Sequence, residues 1–313
     1  MNDIMSLYAD TTLREMICRT DPVPFSDPAL SWVNAPSAEF IEYVKNCEPT
    51  GLDGVPWEEN VYLKQPTFLV CQTHRFWTNL DLIKEHLPST KVLLDLGAFP
   101  FTQDIVLREF AGYDGELIAS SNYELADDAR ATLKKYSIKL TFVDLDPYVC
   151  GDLKEAERYP SRIDMPDDSV DMVLLLHVIE HLYHPMSCLR EVTRVLRPGG
   201  KLIITTDNAM RIETLESLLW QGPFLHEPVQ GTAAMSFHEW RGHVRFFNEG
   251  DLRAMVEDAG MRVEEVVYND VIYNGFIDEY FRNPRRDLPA WKAELLGKRP
   301  AYRNDIAVIG EKR

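Results

Sequence analysis

Two groups of residues have the types and spacing to do chemistry. The first is Asp95-Leu96-Gly97, at the end of the apolar run Val92-Leu93-Leu94. A glycine two positions past an acidic strand end lets backbone come close to a ligand, and a helix starting soon after favours anionic groups. A glycine at any strand–helix turn has the same look, so this signal is weak alone. The second group is His181, His184, Asp207, His238 and His243, which follow later apolar runs. A positioned histidine or carboxylate can take a proton from a reacting group, worth about 10²–10⁴-fold in rate. The bland reading of each is a satisfied core or surface side chain.

Glu180-His181 and His184 are also ligand types. Side chains at i and i+1 of a helix diverge, so no metal is expected there. The five cysteines (Cys18, Cys47, Cys71, Cys150 and Cys188) are odd in number and scattered, with no CxxC pair. That argues against a zinc site or a disulfide framework. Cys188 falls in an amphipathic pattern and reads as a buried thiol.

The elements that must position these groups alternate. A helix is expected over 73–87 (Phe76, Leu80, Ile83, Leu87), with a shorter one at 37–47. Strands are expected at 91–96, 116–120, 139–145, 170–176, 201–206, 261–267 and 306–310. Helices are expected between them at 102–112, 123–136, 185–196 and 249–259. Pro198-Gly199-Gly200 reads as a helix stop, Asn248 as an N-cap and Gly260 as a C-terminal cap. The alternation argues for a parallel sheet with helices on its faces. Residues 1–35 show no sustained period, and neither does 207–247.

The 313 residues suffice for one large α/β domain with additions, and 45% hydrophobic with 27% charged residues is ordinary for a globular protein. No apolar run approaches the roughly 18–20 residues that span a membrane. The N-terminus shows no basic and apolar signal pattern, so a cytoplasmic location is expected. A formal charge of −17 opposes binding to a phosphate backbone, and RNPRR at 282–286 is the one basic stretch set against it.

Residues 164–206 carry a longer pattern: Pro166-Asp167-Asp168-Ser169-Val170-Asp171, then Val178-Ile179-Glu180-His181-Leu182, then Leu189-Arg190-Glu191-Val192-Thr193-Arg194-Val195-Leu196-Arg197-Pro198-Gly199-Gly200. His243-Val244-Arg245-Phe246-Phe247 and Ala259-Gly260-Met261 extend it. In order and spacing this resembles the class I S-adenosyl-L-methionine (SAM)-dependent methyltransferases, in the type 11, ubiquinone-biosynthesis-like small-molecule branch. The likeness covers about residues 90–268. It implies a doubly wound, mostly parallel seven-stranded α/β sheet, Rossmann-like, with an N-terminal helical extension and C-terminal insertions. The implied division is 1–75 as an extension that could cap the substrate, 76–268 as the SAM-binding core with a substrate-side insertion at 207–247, and 269–313 as an insertion plus the last strand.

The resemblance also implies roles. Asp95, Gly97 and Ala98 would lie under the methionine end of SAM, with Phe99 lining the turn. Ser120, Ser121 and Asn122, or Glu124 reaching back, would face the ribose where relatives commonly have an acid. Asp144 or Asp146 would meet the adenine amino group, with Leu145 packing on the ring. His177 would lie beside the methionine portion. The single glycine and Pro100 depart from the usual glycine-rich turn. Asp207, His243 and His181 lead as the base that deprotonates an acceptor.

The implied activity is methyl transfer from SAM to an oxygen of a sugar or natural-product-type small molecule, leaving S-adenosyl-L-homocysteine; nitrogen or carbon acceptors are variants. A SAM-binding scaffold without activity is the second class. A nicotinamide dehydrogenase is the third, and it lacks the GxGxxG turn. The partner expected is a small-molecule acceptor, with no nucleic acid and no membrane, and a homo-oligomer left open. The aromatics of 207–247 and 270–303, among them Trp220, Trp240, Tyr273 and Trp291, suit either an acceptor pocket or a satellite core.

Overall fold

A computed structural model describes residues 33–45, 72–99, 101–122, 125, 127–146, 162–212, 214–215, 243–270 and 290–313. In chain order the elements are α1 (Ala38–Lys45), α2 (Thr73–Lys84), β1 (Val92–Asp95), α3 (Thr102–Glu109), β2 (Glu116–Ser121), α4 (Asp127–Lys135) and β3 (Ile138–Phe142). They continue with β4 (Val170–Leu176), α5 (Pro185–Val195), β5 (Leu196–Asp207), α6 (Glu249–Asp258), β6 (Met261–Asn269), α7 (Ala290–Lys298) and β7 (Asp305–Lys312). The strands form one seven-stranded sheet in the order β3-β2-β1-β4-β5-β7-β6, with β7 antiparallel to both β5 and β6.

Period-2 alternation divides the strands between two cores. Leu94, Val173, Leu175, Leu202 and Ile204 pack with Leu189 and Val192 of α5 and Leu252 and Val256 of α6. Leu93, Met172, Leu174 and Ile203 face the other way, onto Phe40 of α1, Phe76 and Leu80 of α2, Ile105 of α3 and Leu133 of α4. β1 and β4 are therefore covered on both faces, as central parallel strands require. Cys188 is buried on the first face, and burial pushes its thiol up to about 12.

Side chains hold the ends of these elements. Asn248 accepts from the Asp251 amide and Asp251 from the Asn248 amide, each at 3.1 Å, a reciprocal capping box. Gly260, at φ +94°, closes α6. Arg194 binds Glu191 and Asp167 and donates to the carbonyls of Ile163 and Met165 at 2.8 and 2.9 Å. Glu191 accepts from the Ile163 amide at 3.0 Å. The acid and arginine of the 189–200 pattern thus clamp the loop that enters β4.

Three expectations about elements need correction. Pro198-Gly199-Gly200 lies inside β5, because α5 stops at Val195 and the chain pairs with β4 at once, from Leu196 opposite Val170. The register shifts between Val170 and Met172, and Gly199, at φ +75°, takes the backbone conformation that this irregularity needs. β3 ends at Phe142 rather than 145, because Asp144 turns back to accept from the Asp146 amide at 2.9 Å. Within the expected 269–313 insertion stands the unforeseen helix α7, whose Trp291 and Leu296 pack with Ile212 in a small separate cluster. Trp291 therefore belongs to a satellite core. Trp220, Trp240, Tyr273, His238, Glu124, the 282–286 stretch, and most of the 1–75 extension and the 207–247 insertion lie outside the described residues. Among the described residues no helix is long and apolar enough to cross a membrane.

Candidate active site

Beyond the carboxyl ends of β1, β2, β3 and β4 lies a cavity of about 210 Å³. Its lining holds Gly97, Phe99, Ser120, Ser121, Asn122, Asp144, Leu145, Asp146 and His177, together with Val143, Val178, His181 and Leu182. Nine of the eleven residues expected around a cofactor thus share one concavity. Asp95 and Ala98 are not among its walls.

The glycine turn is built tightly. Gly97 sits at φ +72°, and a Cβ there would stand 2.7 Å from Cγ2 of Val178. Its amide donates to Ser120 Oγ at 2.9 Å, and the Ala98 amide donates to the Ser120 carbonyl at 3.1 Å. The Ser120 hydroxyl therefore braces the turn, while Ser121 and Asn122 follow it along the cavity wall. Phe101 enters α3 at φ +64°, fully buried, a conformation that a bulky side chain adopts only where its surroundings impose it. Its ring meets Phe99 edge-on, with centroids 6.1 Å apart.

Asp95 lies behind the turn, 2% exposed, against the fully buried Asp104 of α3. Burial raises the Asp95 carboxyl to about 8. Burial and the charge of Asp95 also hold Asp104 well above the carboxylate range, against Arg108 nearby. Two carboxyls in so little solvent cannot both ionise, so a proton stays on the pair at neutral pH. Asp104 gave no sign of this in the sequence, since one acid in the first turn of a helix is ordinary.

The two aspartates after β3 differ in use. Asp146, 1% exposed, accepts from the amides of Tyr183 at 2.8 Å and His184 at 3.1 Å, and so ties down the start of α5. Asp144 is exposed at the cavity. Both readings were open in the sequence because spacing alone cannot say which carboxylate faces backbone.

At the far wall, His177 leaves β4 at φ +56°, buried between Glu180 and Asp305. Its Nδ1 stands 3.3 Å from Glu180 Oε1 and its Nε2 3.1 Å from Asp305 Oδ2. Burial and Arg75 both oppose charge on this ring; the two carboxylates outweigh them and hold it up at about 9. Burial works against ionising Glu180 as well, but His177, His181 and His243 keep its carboxylate well below the usual range. Burial leaves Asp305 raised despite His177. Asp305 comes from β7, and nothing in the sequence pattern pointed to it.

The candidate bases gather beside this wall. His243 Nδ1 stands 3.2 Å from Asp207 Oδ2, and the rings of His181 and His243 meet edge-on, with centroids 4.8 Å apart. The 243–247 segment is docked through backbone: the Val244 and Arg245 amides donate to the Glu180 carbonyl at 2.9 and 3.1 Å, and Phe247 bridges Asn208 just past β5. Arg245 also donates to the carbonyls of Leu182 and Tyr183 at 3.1 and 2.6 Å. Residues Ile179–His181 form a 3₁₀ turn, in which neighbouring side chains diverge by about 120° at three residues per turn, yet one ligand atom each of Glu180, His181 and His243 lies within 4.8 Å of the others.

The residue types along this wall suit a nucleoside ligand that carries a polar amino-acid end. The Gly97 turn brings backbone to one end, the β2 hydroxyl and amide residues occupy the middle, and Leu145 with the exposed Asp144 closes the other.

Comparison with known proteins bears on the family of the chain. Residues 72–266 match the family described as "Methyltransferase domain". A probable S-adenosylmethionine-dependent methyltransferase of Mycolicibacterium smegmatis is 29% identical over 155 residues, covering 46% of this chain and 52% of that protein. A ubiquinone/menaquinone biosynthesis C-methyltransferase of Ectopseudomonas mendocina is 27% identical over 207 residues, covering 63% of this chain and 75% of its own length. A ubiquinone biosynthesis O-methyltransferase of Parvibaculum lavamentivorans is 30% identical over 113 residues, 36% of this chain and 41% of that one. The chain thus spans about half the length, or less, of two of these relatives. A solved structure from Thermotoga maritima, described as a SAM-dependent methyltransferase, covers 82% of this chain and 98% of its own, at 15% identity and a TM-score of 0.49. With well over half of its length inside the matched domain, the chain belongs to the class I SAM-dependent methyltransferase family.

Proposed function

We propose that this protein transfers a methyl group from SAM to an oxygen of a small hydroxylated acceptor of the sugar or natural-product type. The observation that carries the reading is the convergence of four strand ends on one cavity, with a histidine–carboxylate cluster at its edge. SAM supplies an electrophilic methyl on a sulfonium centre. The chain's own residues do the rest. The Gly97 turn and the wall at His177 seat the methionine portion, Ser121 and Asn122 face the ribose hydroxyls, and Asp144 accepts from the adenine amino group over Leu145. Fixing the methyl in line with the acceptor supplies much of the rate. Asp207, His243 and His181 stand where an acceptor hydroxyl would give up its proton.

Oxygen is favoured over carbon or nitrogen because an unactivated hydroxyl needs a proton removed, and the Asp207–His243 contact is an arrangement that removes one. The acceptor cap is assigned to segments of 1–75, 207–247 and 270–303. Calorimetry with SAM and S-adenosyl-L-homocysteine tests the first half of the proposal: one equivalent of each is expected to bind. Failure of both to bind sinks it. A panel of hydroxyl, amine and carbon acceptors with methyl-labelled SAM tests the second half. Binding with no turnover on any of them points to a SAM-binding scaffold.

A further inference from the structure

We infer that Glu180, His181 and His243 form a site for one divalent first-row transition-metal ion at the rim of the cavity. Each offers one ligand atom, and the three atoms lie within 4.8 Å of one another. Around an ion with bonds of about 2.0–2.2 Å, tetrahedral donors stand about 3.3 Å apart, so side-chain rotations of about an ångström close the set.

Three observations support an ion here. Glu180 is 1% exposed, yet neither carboxylate oxygen accepts a hydrogen bond. The His177 contact at 3.3 Å compensates its charge from one side and leaves its acceptor capacity open to a ligand. The two histidines come from segments 62 residues apart that are locked together by the Val244 and Arg245 amides on the Glu180 carbonyl. Finally, Asp207 Oδ2 stands 3.2 Å from Nδ1 of His243 without hydrogen-bond geometry, near enough to become the outer contact of a histidine ligand.

The donor set selects the ion. Two imidazoles and one carboxylate suit Zn²⁺, Co²⁺ or Mn²⁺, whereas Mg²⁺ and Ca²⁺ prefer oxygen alone. Three protein ligands leave a position open for an acceptor oxygen, and His181 also lines the cavity. Resting on the methyltransferase reading, the consequence is acceptor activation. His181 and His243 then act as ligands rather than bases, and the proton of a hydroxyl held on the ion passes to solvent. Its oxygen then bonds the methyl carbon as the carbon–sulfur pair returns to sulfur, with no change in oxidation state.

The test is a titration of the chelator-treated full-length chain with Co²⁺, read by visible absorption, and with Zn²⁺, Mn²⁺ and Mg²⁺ by calorimetry. One equivalent of Co²⁺ with d–d bands of a nitrogen-containing site is expected, and weaker binding of Mg²⁺. His243→Ala and Glu180→Gln should each weaken Co²⁺ binding at least about tenfold, and Asp207→Asn about 10–100-fold. His86→Ala, outside the cluster, should change nothing. Circular dichroism checks each fold; if the buried Glu180→Gln variant fails to fold, His243→Ala decides. Binding of no transition metal at one equivalent, or undiminished binding by His243→Ala, overturns the site. SAM calorimetry on the same metal-free protein separates the two ideas. SAM binding without metal binding removes the metal site and keeps the methyltransferase, and the reverse result does the opposite.

Discussion

Gly97 is constrained twice, by its φ of +72° and by Val178 Cγ2 at 2.7 Å from where a Cβ would stand. Gly97→Ala should therefore lower SAM affinity at least tenfold in calorimetry and cost about 1–3 kcal/mol of stability. The Asp95–Asp104 pair makes a pH prediction. Its folded pKa values lie above the unfolded ones, so its stabilising proton is fully held below about pH 4 and lost as pH rises through about 8. Asp104→Asn should raise the thermal midpoint by a few degrees at pH 8, and the gain should shrink toward pH 5. The two aspartates after β3 should also part company. Asp146→Ala removes the acceptor of two amides and should cost about 1–3 kcal/mol in denaturant unfolding. Asp144→Ala should leave stability within about 0.5 kcal/mol and weaken SAM binding instead. At this scale the sequence displayed which residues mattered more readily than what each one touched. Gly97 was visible from its place after an apolar strand; the partners of Asp95 and His177 were not, because Asp104 and Asp305 come from elements that only the fold brings near.

Elements were more legible than contacts. β4, with its run of Met172-Val173-Leu174-Leu175, has the span read from the sequence, and α6 has the cap read from Asn248. Such elements announce themselves through burial period and capping chemistry, which are local. The Pro-Gly-Gly segment was misread because a helix stop and a glycine-bearing strand irregularity use the same residues, and pairing with β4 decides between them. The 189–200 pattern yields an element-level prediction. Arg194 holds the 163–168 loop by side-chain and carbonyl contacts remote from the cavity wall. Arg194→Ala should lower stability by about 1–3 kcal/mol in thermal unfolding while leaving SAM affinity within twofold. A large loss of affinity at unchanged stability would contradict that assignment.

Over the whole molecule, the sheet is built from the inside out. β1 and β4 are covered by helices on both faces, while β3 and β6 stand at the edges. Hydrogen exchange should accordingly be slowest at the amides of β1, β4 and β5 and faster in β3 and β6, with S-adenosyl-L-homocysteine slowing the ends of β1 and β2 most. β7 has a different consequence, one of timing. It follows β6 in the chain yet lies between β5 and β6. A nascent chain grown only to residue 270 would already carry every expected cofactor position, but β5 would present an open edge, β6 would have no neighbour, and His177 would lack Asp305. Open strand edges invite pairing with other chains. The wall at His177 is therefore complete only once β7 has entered between β5 and β6, and until then both strands keep an edge open to other chains.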